Sequence, residues 1–134
     1  MFQTTILIGN LGKEPEMRYT STGQPVTTLS VATNRRYNDA NGQSQNETTW
    51  FRVSVWGKQA EPCNQYLHKG SRVVVEGRLT PDPETGGPHI WESNGKVGAS
   101  YEVTASTVRF LSAREEHAES EAAPAAPTEN DIPF

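Results

Sequence analysis

The chain has few of the residues from which catalytic or metal sites are built. It contains one cysteine, Cys63, and three histidines, His68, His89 and His117, set far apart. A lone thiol cannot close an internal disulfide, and no Cys/His group has metal-ligand spacing. The sequence therefore predicts no metal, no cofactor and a reducing compartment. Cys63 has no histidine close beside it in sequence and reads as a small buried thiol. Acid pairs such as Glu14 with Glu16 and Asp82 with Glu84 fall in turn-rich stretches and read as solvated loop charges. Gly86-Gly87-Pro88 lacks the Lys and Ser/Thr of a phosphate loop. No constellation for catalysis is left, so an enzyme is not expected. Long apolar runs are also missing: Ile6-Leu7-Ile8 stops at Gly9, and Met1-Phe2-Gln3-Thr4 has no basic opening. Neither a membrane span nor a signal peptide is predicted, and a cytoplasmic location is expected.

An excess of positive charge is missing too. The net charge is -4, which at first argues against a nucleic-acid partner, because phosphate binding is driven by Lys and Arg displacing counterions. The distribution reverses that impression. Residues 1–112 carry a net +1 and residues 113–134 a net -5, so a near-neutral body is joined to an acidic end of the kind that reports an interaction tail. With 134 residues there is room for one domain and a short appendage.

In the body, short β-rich runs alternate with Gly, Asn and Pro, the rhythm of a small barrel or sandwich. Five strands are predicted, Thr4 to Leu11, Val26 to Tyr37, Thr49 to Trp56, Arg72 to Leu79 and Ser100 to Phe110, with Asn41-Gly42 turning the second into the third. Between the third and fourth lies a helix from about Gln59 to His68, with Ala60, Cys63 and Leu67 at helical spacing, Pro62 in its first turn and Gly70 as its stop. Three strands, a helix and two strands is the order of an all-β fold, a five-stranded OB-fold barrel with one helix between strands 3 and 4. From about Ser112 to Thr128 the chain turns to Arg114-Glu115-Glu116 and then mainly to Ala, Glu and Pro, and should be disordered. Residues 1–111 thus form the domain, 112–128 a linker and 129–134 a tip.

The most informative stretch is Trp50-Phe51-Arg52-Val53-Ser54-Val55-Trp56. Side chains alternate across a strand, so Phe51, Val53 and Val55 share a core face, while Trp50, Arg52, Ser54 and Trp56 share the other. Two tryptophans around a cation suit the stacking of nucleic-acid bases, with the arginine meeting phosphate or stacking in turn. The competing explanation is a second hydrophobic layer or a subunit interface. Basic and aromatic residues are interleaved nearby, Arg35-Arg36-Tyr37 closing the preceding strand and Lys58 following Trp56. On the next strand Val73, Val75 and Leu79 share one face, and Arg72, Glu76 and Arg78 share the other with Val74.

At these residues the chain resembles the bacterial single-stranded DNA-binding protein family. The resemblance runs through Ile6-Leu7-Ile8-Gly9-Asn10-Leu11-Gly12, Glu14-Pro15-Glu16-Met17-Arg18-Tyr19, Trp50-Phe51-Arg52-Val53, Trp56-Gly57-Lys58, Tyr66-Leu67-His68-Lys69-Gly70-Ser71, Val75-Glu76-Gly77-Arg78-Leu79 and Asp131-Ile132-Pro133-Phe134. It implies a homotetramer that coats single-stranded DNA in the nucleoid, with bases stacked on Tyr37, Trp50, Trp56 and Trp91 and with Arg52, Lys58 and Lys69 on the phosphate backbone. It also implies that Asp131, Ile132, Pro133 and Phe134 form a tip that docks replication, recombination and repair proteins. Relative to the family, Thr80 to Pro88 looks like an insertion, so the match of Trp91 depends on where the gap is placed. The linker is short and the acids of the tip are sparse. The alternative is an OB-fold primosome component or an RNA-binding chaperone, since stacking alone does not separate DNA from RNA.

Overall fold

The structure, a computed structural model of the chain, describes residues 1–111. The linker 112–128 and the tip 129–134 lie outside the described residues. Seven strands and one helix follow in order: β1 (Thr5–Leu11), β2 (Glu16–Tyr19), β3 (Pro25–Asn38), β4 (Ser44–Trp56), α1 (Ala60–Tyr66), β5 (Arg72–Leu79), β6 (His89–Ser93) and β7 (Lys96–Phe110). The strands run β1-β5-β7-β4-β3 around a barrel that closes where β1 meets β3 at Asn10↔Ala32 and Leu11↔Val31. β4 and β7 are parallel neighbours, whereas the other pairs are antiparallel. The five barrel strands and the helix between the third and fourth of them are the architecture expected from the sequence. β2, on the edge of β3, and β6, paired with β7, are additions to it.

Alternation places the core. Leu29 and Val31 on β3, Val53 and Val55 on β4, and Val73 and Val75 on β5 turn inward and are completely buried. Phe51 packs against this cluster only in part. Leu79 departs from the expected core face: it is 42% exposed. The register of β5 on β7 shifts between Glu76 and Gly77, and beyond that irregularity β5 runs to the end of the barrel, where Leu79 faces a groove beside Pro81 and Tyr101.

The helix is shorter than its predicted span. A 3-10 turn over Gly57–Gln59 leads into it, and it ends where Leu67 adopts an extended conformation (φ -99°, ψ 148°). Leu67 leaves the helix buried in the barrel core with Cys63, so the tertiary packing, not Gly70, ends the helix. Gly70, at φ +93°, instead serves the turn into β5, its N–H donating to the Leu11 carbonyl. The Cys63 thiol is pushed up to about 11 by burial, which makes it an inert packing group. At the base of the barrel the buried Thr27 Oγ1 donates to the Ala60 carbonyl at 2.6 Å, tying the helix start to β3.

The β3–β4 turn is more elaborate than Asn41-Gly42 alone. The Asp39 carboxylate accepts from the backbone N–H groups of Asn41 and Gln43, both at 2.9 Å, and from Gln45 Nε2 at 3.1 Å, while Gly42 takes φ +79°. The Gln43 amide holds this carboxyl below the ordinary Asp range against the opposing effect of desolvation, with lesser help from the Gln45 side chain and the Asn41 amide.

Candidate nucleic-acid interface

β4 positions the central residues. Trp50 and Trp56 are 53% and 42% exposed, with Arg52 outward between them, while the intervening Val53 and Val55 are buried. Six residue steps along the strand separate the rings, roughly 20 Å of rise. Both tryptophans therefore lie on the outer face predicted for them, and no second layer covers them among the described residues.

Cross-strand register shows what joins this face. Arg72, Asn10, Ala32 and Trp50 are successive Cα partners on β5, β1, β3 and β4, so they form one outward row. A second row runs Thr28, Ser54, Thr104 and Arg78 across β3, β4, β7 and β5. At about 4.8 Å per strand, Arg72 and Arg78 sit within roughly 10–15 Å of the β4 backbone. Lys69 is anchored near the Trp50 end, its backbone N–H donating to Glu14 Oε2 at 3.0 Å; the same carboxylate faces His68 Nδ1 at 3.5 Å. Lys58 follows Trp56 at the other end, displayed by Gly57 at φ +74°.

Arg35, Arg36 and Tyr37 are divided by their strand. Arg36 pairs with Asn46 and shares the Trp50 side, whereas Arg35 and Tyr37 pair with Glu47 and Gln45 on the opposite side of the β3–β4 ribbon. Arg35 is also engaged: its Nε lies 3.0 Å from Glu47 Oε1 and its guanidinium 4.6 Å from the centre of the Tyr37 ring. One face of Tyr37 is thus already covered by a cation.

Trp91 is 43% exposed and pairs with Gly98 on the β6–β7 hairpin, which turns at Asn94 (φ 50°) and Gly95 (φ +80°). Gly98, Ser100 and Glu102 alternate onto one face of β7, and Glu102 is the partner of Arg52. By register, Trp91 therefore joins the Trp50–Arg52 face.

Several contributors were not legible in the sequence. A groove of about 270 Å³ beside Trp50 is lined by Lys13, Glu16, Ser30, Arg52 and Ser100. That is below the size of ordinary small-ligand pockets and suits one flat group lying against the ring. Gly12 lies directly beneath Trp50: a Cβ there would come within 2.4 Å of Cζ3. Lys13 and Glu16 carry no aromatic neighbour that would have marked them, and a glycine seating a ring looks like any turn glycine in sequence.

Known proteins share this fold. The chain is 37% identical over 112 residues to a single-stranded DNA-binding protein 1 of Chlorobaculum tepidum, covering 82% of this chain and 65% of that relative. Among solved structures, a Plasmodium falciparum SSB in complex with ssDNA superposes with TM-score 0.68 at 28% identity, covering 83% of this chain and 96% of the other. A deletion mutant of the single-stranded DNA binding protein from Thermus aquaticus superposes with TM-score 0.64 at 32% identity, covering 81% of this chain and 49% of the other. The chain thus spans less than two thirds of the length of the Chlorobaculum relative. The single-strand binding protein family profile matches residues 2–111, and this chain, with its closed barrel and exposed tryptophan face, belongs to that family of binding proteins rather than to a family of enzymes.

Proposed function

We propose that this protein binds single-stranded DNA with little sequence preference, by stacking bases on Trp50, Trp56, Trp91 and the open face of Tyr37. Arg36, Arg52, Lys58, Lys69, Arg72 and Arg78 meet the phosphates, and Arg35 joins them when DNA displaces Glu47. The observation that carries this reading is the β4 face, where two large indoles remain about half exposed around an arginine. Every base offers a ring face whatever its identity, and each stack is worth about 1–3 kcal/mol. The Plasmodium neighbour of the same fold is described in complex with ssDNA, which supports the choice of ligand.

The test is a titration of intrinsic tryptophan fluorescence with dT homopolymer, rU homopolymer and duplex DNA. The dT homopolymer is expected to quench emission and bind far more tightly than duplex, with log affinity falling against log salt at about -0.7 per phosphate neutralised. Equal affinity for duplex would remove the single-strand reading, and tighter binding of rU would favour the RNA chaperone.

The protein also assembles, on this proposal, as a homotetramer. Ile6 and Ile8 point outward from β1 and are 61% and 60% exposed, and among the described residues Thr5–Ile8 pair only with β5, leaving the other side of that strand open there. An unpaired strand edge beside exposed aliphatics is a ready site for self-association. The double variant Ile6→Glu/Ile8→Glu is expected to fall to dimers or monomers in light scattering. An unchanged mass would place the subunit contact elsewhere.

Recruitment of replication, recombination and repair proteins is assigned to Asp131, Ile132, Pro133 and Phe134, outside the described residues. The apolar Ile132 and Phe134 beside the Asp131 carboxylate suit a pocket with an apolar floor and a cation at its rim. Phe134→Ala is expected to abolish capture of a repair or replication partner in a pull-down while single-strand binding in a filter assay is undiminished. Unchanged capture would reduce the tip to a solubilising end.

A further inference from the structure

The second tryptophan seat lies outside the barrel. The Trp91 indole lies across Gly98, its cross-strand partner, so closely that a Cβ on Gly98 would sit 2.3 Å from Cζ2 and 2.7 Å from Cε2 and Cη2. Gly98 does not have a positive φ, so the backbone does not demand glycine. Space does. Gly12 stands in the same relation to Trp50, at 2.4 Å from Cζ3 and 2.6 Å from Cη2, held to β3 by its N–H donating to the Ser30 carbonyl at 2.9 Å. Two tryptophans on one continuous face each rest on a residue that lacks a side chain.

We propose that Gly98 is a positioning residue for base stacking: its missing side chain lets Trp91 lie down on β7 and offer a single open ring face to a single base. The proposal rests on the reading that Trp91 stacks bases, and it adds the device that fixes the ring's pitch. An aromatic laid over a cross-strand glycine is also a recognised way of filling the gap that glycine leaves in a sheet. Here the filling ring stays 43% exposed, so burial does not consume it. A methyl group at position 98 would lift the six-membered ring away from the strand and tilt its open face out of line with the base it meets. The consequence is confined to the hairpin, because among the described residues β6 pairs only with β7.

The experiment uses the full chain with Trp50→Phe and Trp56→Phe, which leaves Trp91 as its only tryptophan. In that background dT homopolymer is expected to quench Trp91 emission. Gly98→Ala should weaken the quench and lower affinity about 5- to 10-fold, the loss of one modest stack. Anisotropy of a labelled dT oligomer then gives the coupling: with Trp91→Ala already present, Gly98→Ala should cost nothing further. Combining Gly98→Ala with Trp91→Phe, a smaller ring, should shrink the penalty to about twofold or less. Should Gly98→Ala also lower the melting temperature, this rescue still separates a lifted ring from a damaged hairpin. The proposal is overturned if Gly98→Ala binds and quenches like its parent, or if it weakens binding equally with and without Trp91. If Trp91→Ala alone leaves affinity unchanged, the stacking role of Trp91 falls and the seat with it. If Trp91→Ala weakens binding and Gly98→Ala does not, only the seat is wrong.

Discussion

The double variant Trp50→Ala/Trp56→Ala is expected to bind single-stranded DNA roughly 30- to 20,000-fold more weakly than the parent, the loss of two stacks of about 1–3 kcal/mol each. Its melting temperature should be nearly unchanged. The two expectations are linked through β4, whose buried Val53 and Val55 supply the core from one face while the indoles stand on the other. The rings lie some 20 Å apart on one strand, so they engage different bases and their losses should come close to adding. A variant that unfolds would assign the tryptophans to a subunit interface or a packed layer. One that binds normally would leave the fluorescence of the parent without a stacking cause.

Gly9→Val is expected to destabilise the barrel by about 3 kcal/mol or more, read as a lowered midpoint in urea followed by circular dichroism. Gly9 lies one residue before the contact between β1 and β3 that closes the barrel. A Cβ at Gly9 would stand 2.2 Å from the Ala32 carbonyl oxygen and 3.0 Å from Val31 Cγ1. Backbone cannot yield as a flexible side chain can, so β1 would have to move off β3 and open the seam. Gly77 performs the same service between β5 and β7, where the added atom would meet the Thr104 carbonyl oxygen at 2.1 Å. A Gly9→Val protein as stable as its parent would mean that the seam is wide enough for a side chain.

The barrel and its tryptophan face were legible because alternation is a local property. Trp50 through Trp56 carries a core face and an open face within seven residues, and the structure sorts them as the period of two dictates. β2 was not legible: Glu-Met-Arg-Tyr alternates over only four residues, too short a run to mark a strand, and it forms by pairing with Pro25, Val26, Thr27 and Thr28 on β3. β6 was hidden by the Pro- and Gly-rich stretch before it, where the side chain of Asp82 and the left-handed Gly86 fold a loop closed by Asp82 N–H donating to the Gly87 carbonyl. Leu79 looked like core because its parity is correct, but parity says nothing about where a barrel ends. The Arg35–Glu47 pair was hidden for a related reason: its members are 12 residues apart and meet only because the ribbon register places them opposite each other.

The order in which the strands pair bears on how the chain is made. Thr5 faces Gly77, and Val53 faces Val103, so neither the first strand nor the fourth can complete its neighbours until much later residues exist. As the polypeptide leaves the ribosome, β3 and β4 can join as a local hairpin, but Thr5 to Gly9 must wait for residues 73–77. The barrel can close fully only after β7 has emerged. Throughout that interval Ile6, Leu7 and Ile8 form an unpaired aliphatic strand, the kind of segment that makes slow, non-local β topologies prone to aggregate. During synthesis, then, the first strand made is among the last to be protected, and a nascent chain stalled before residue 72 would be expected to depend on chaperones more than the finished protein does.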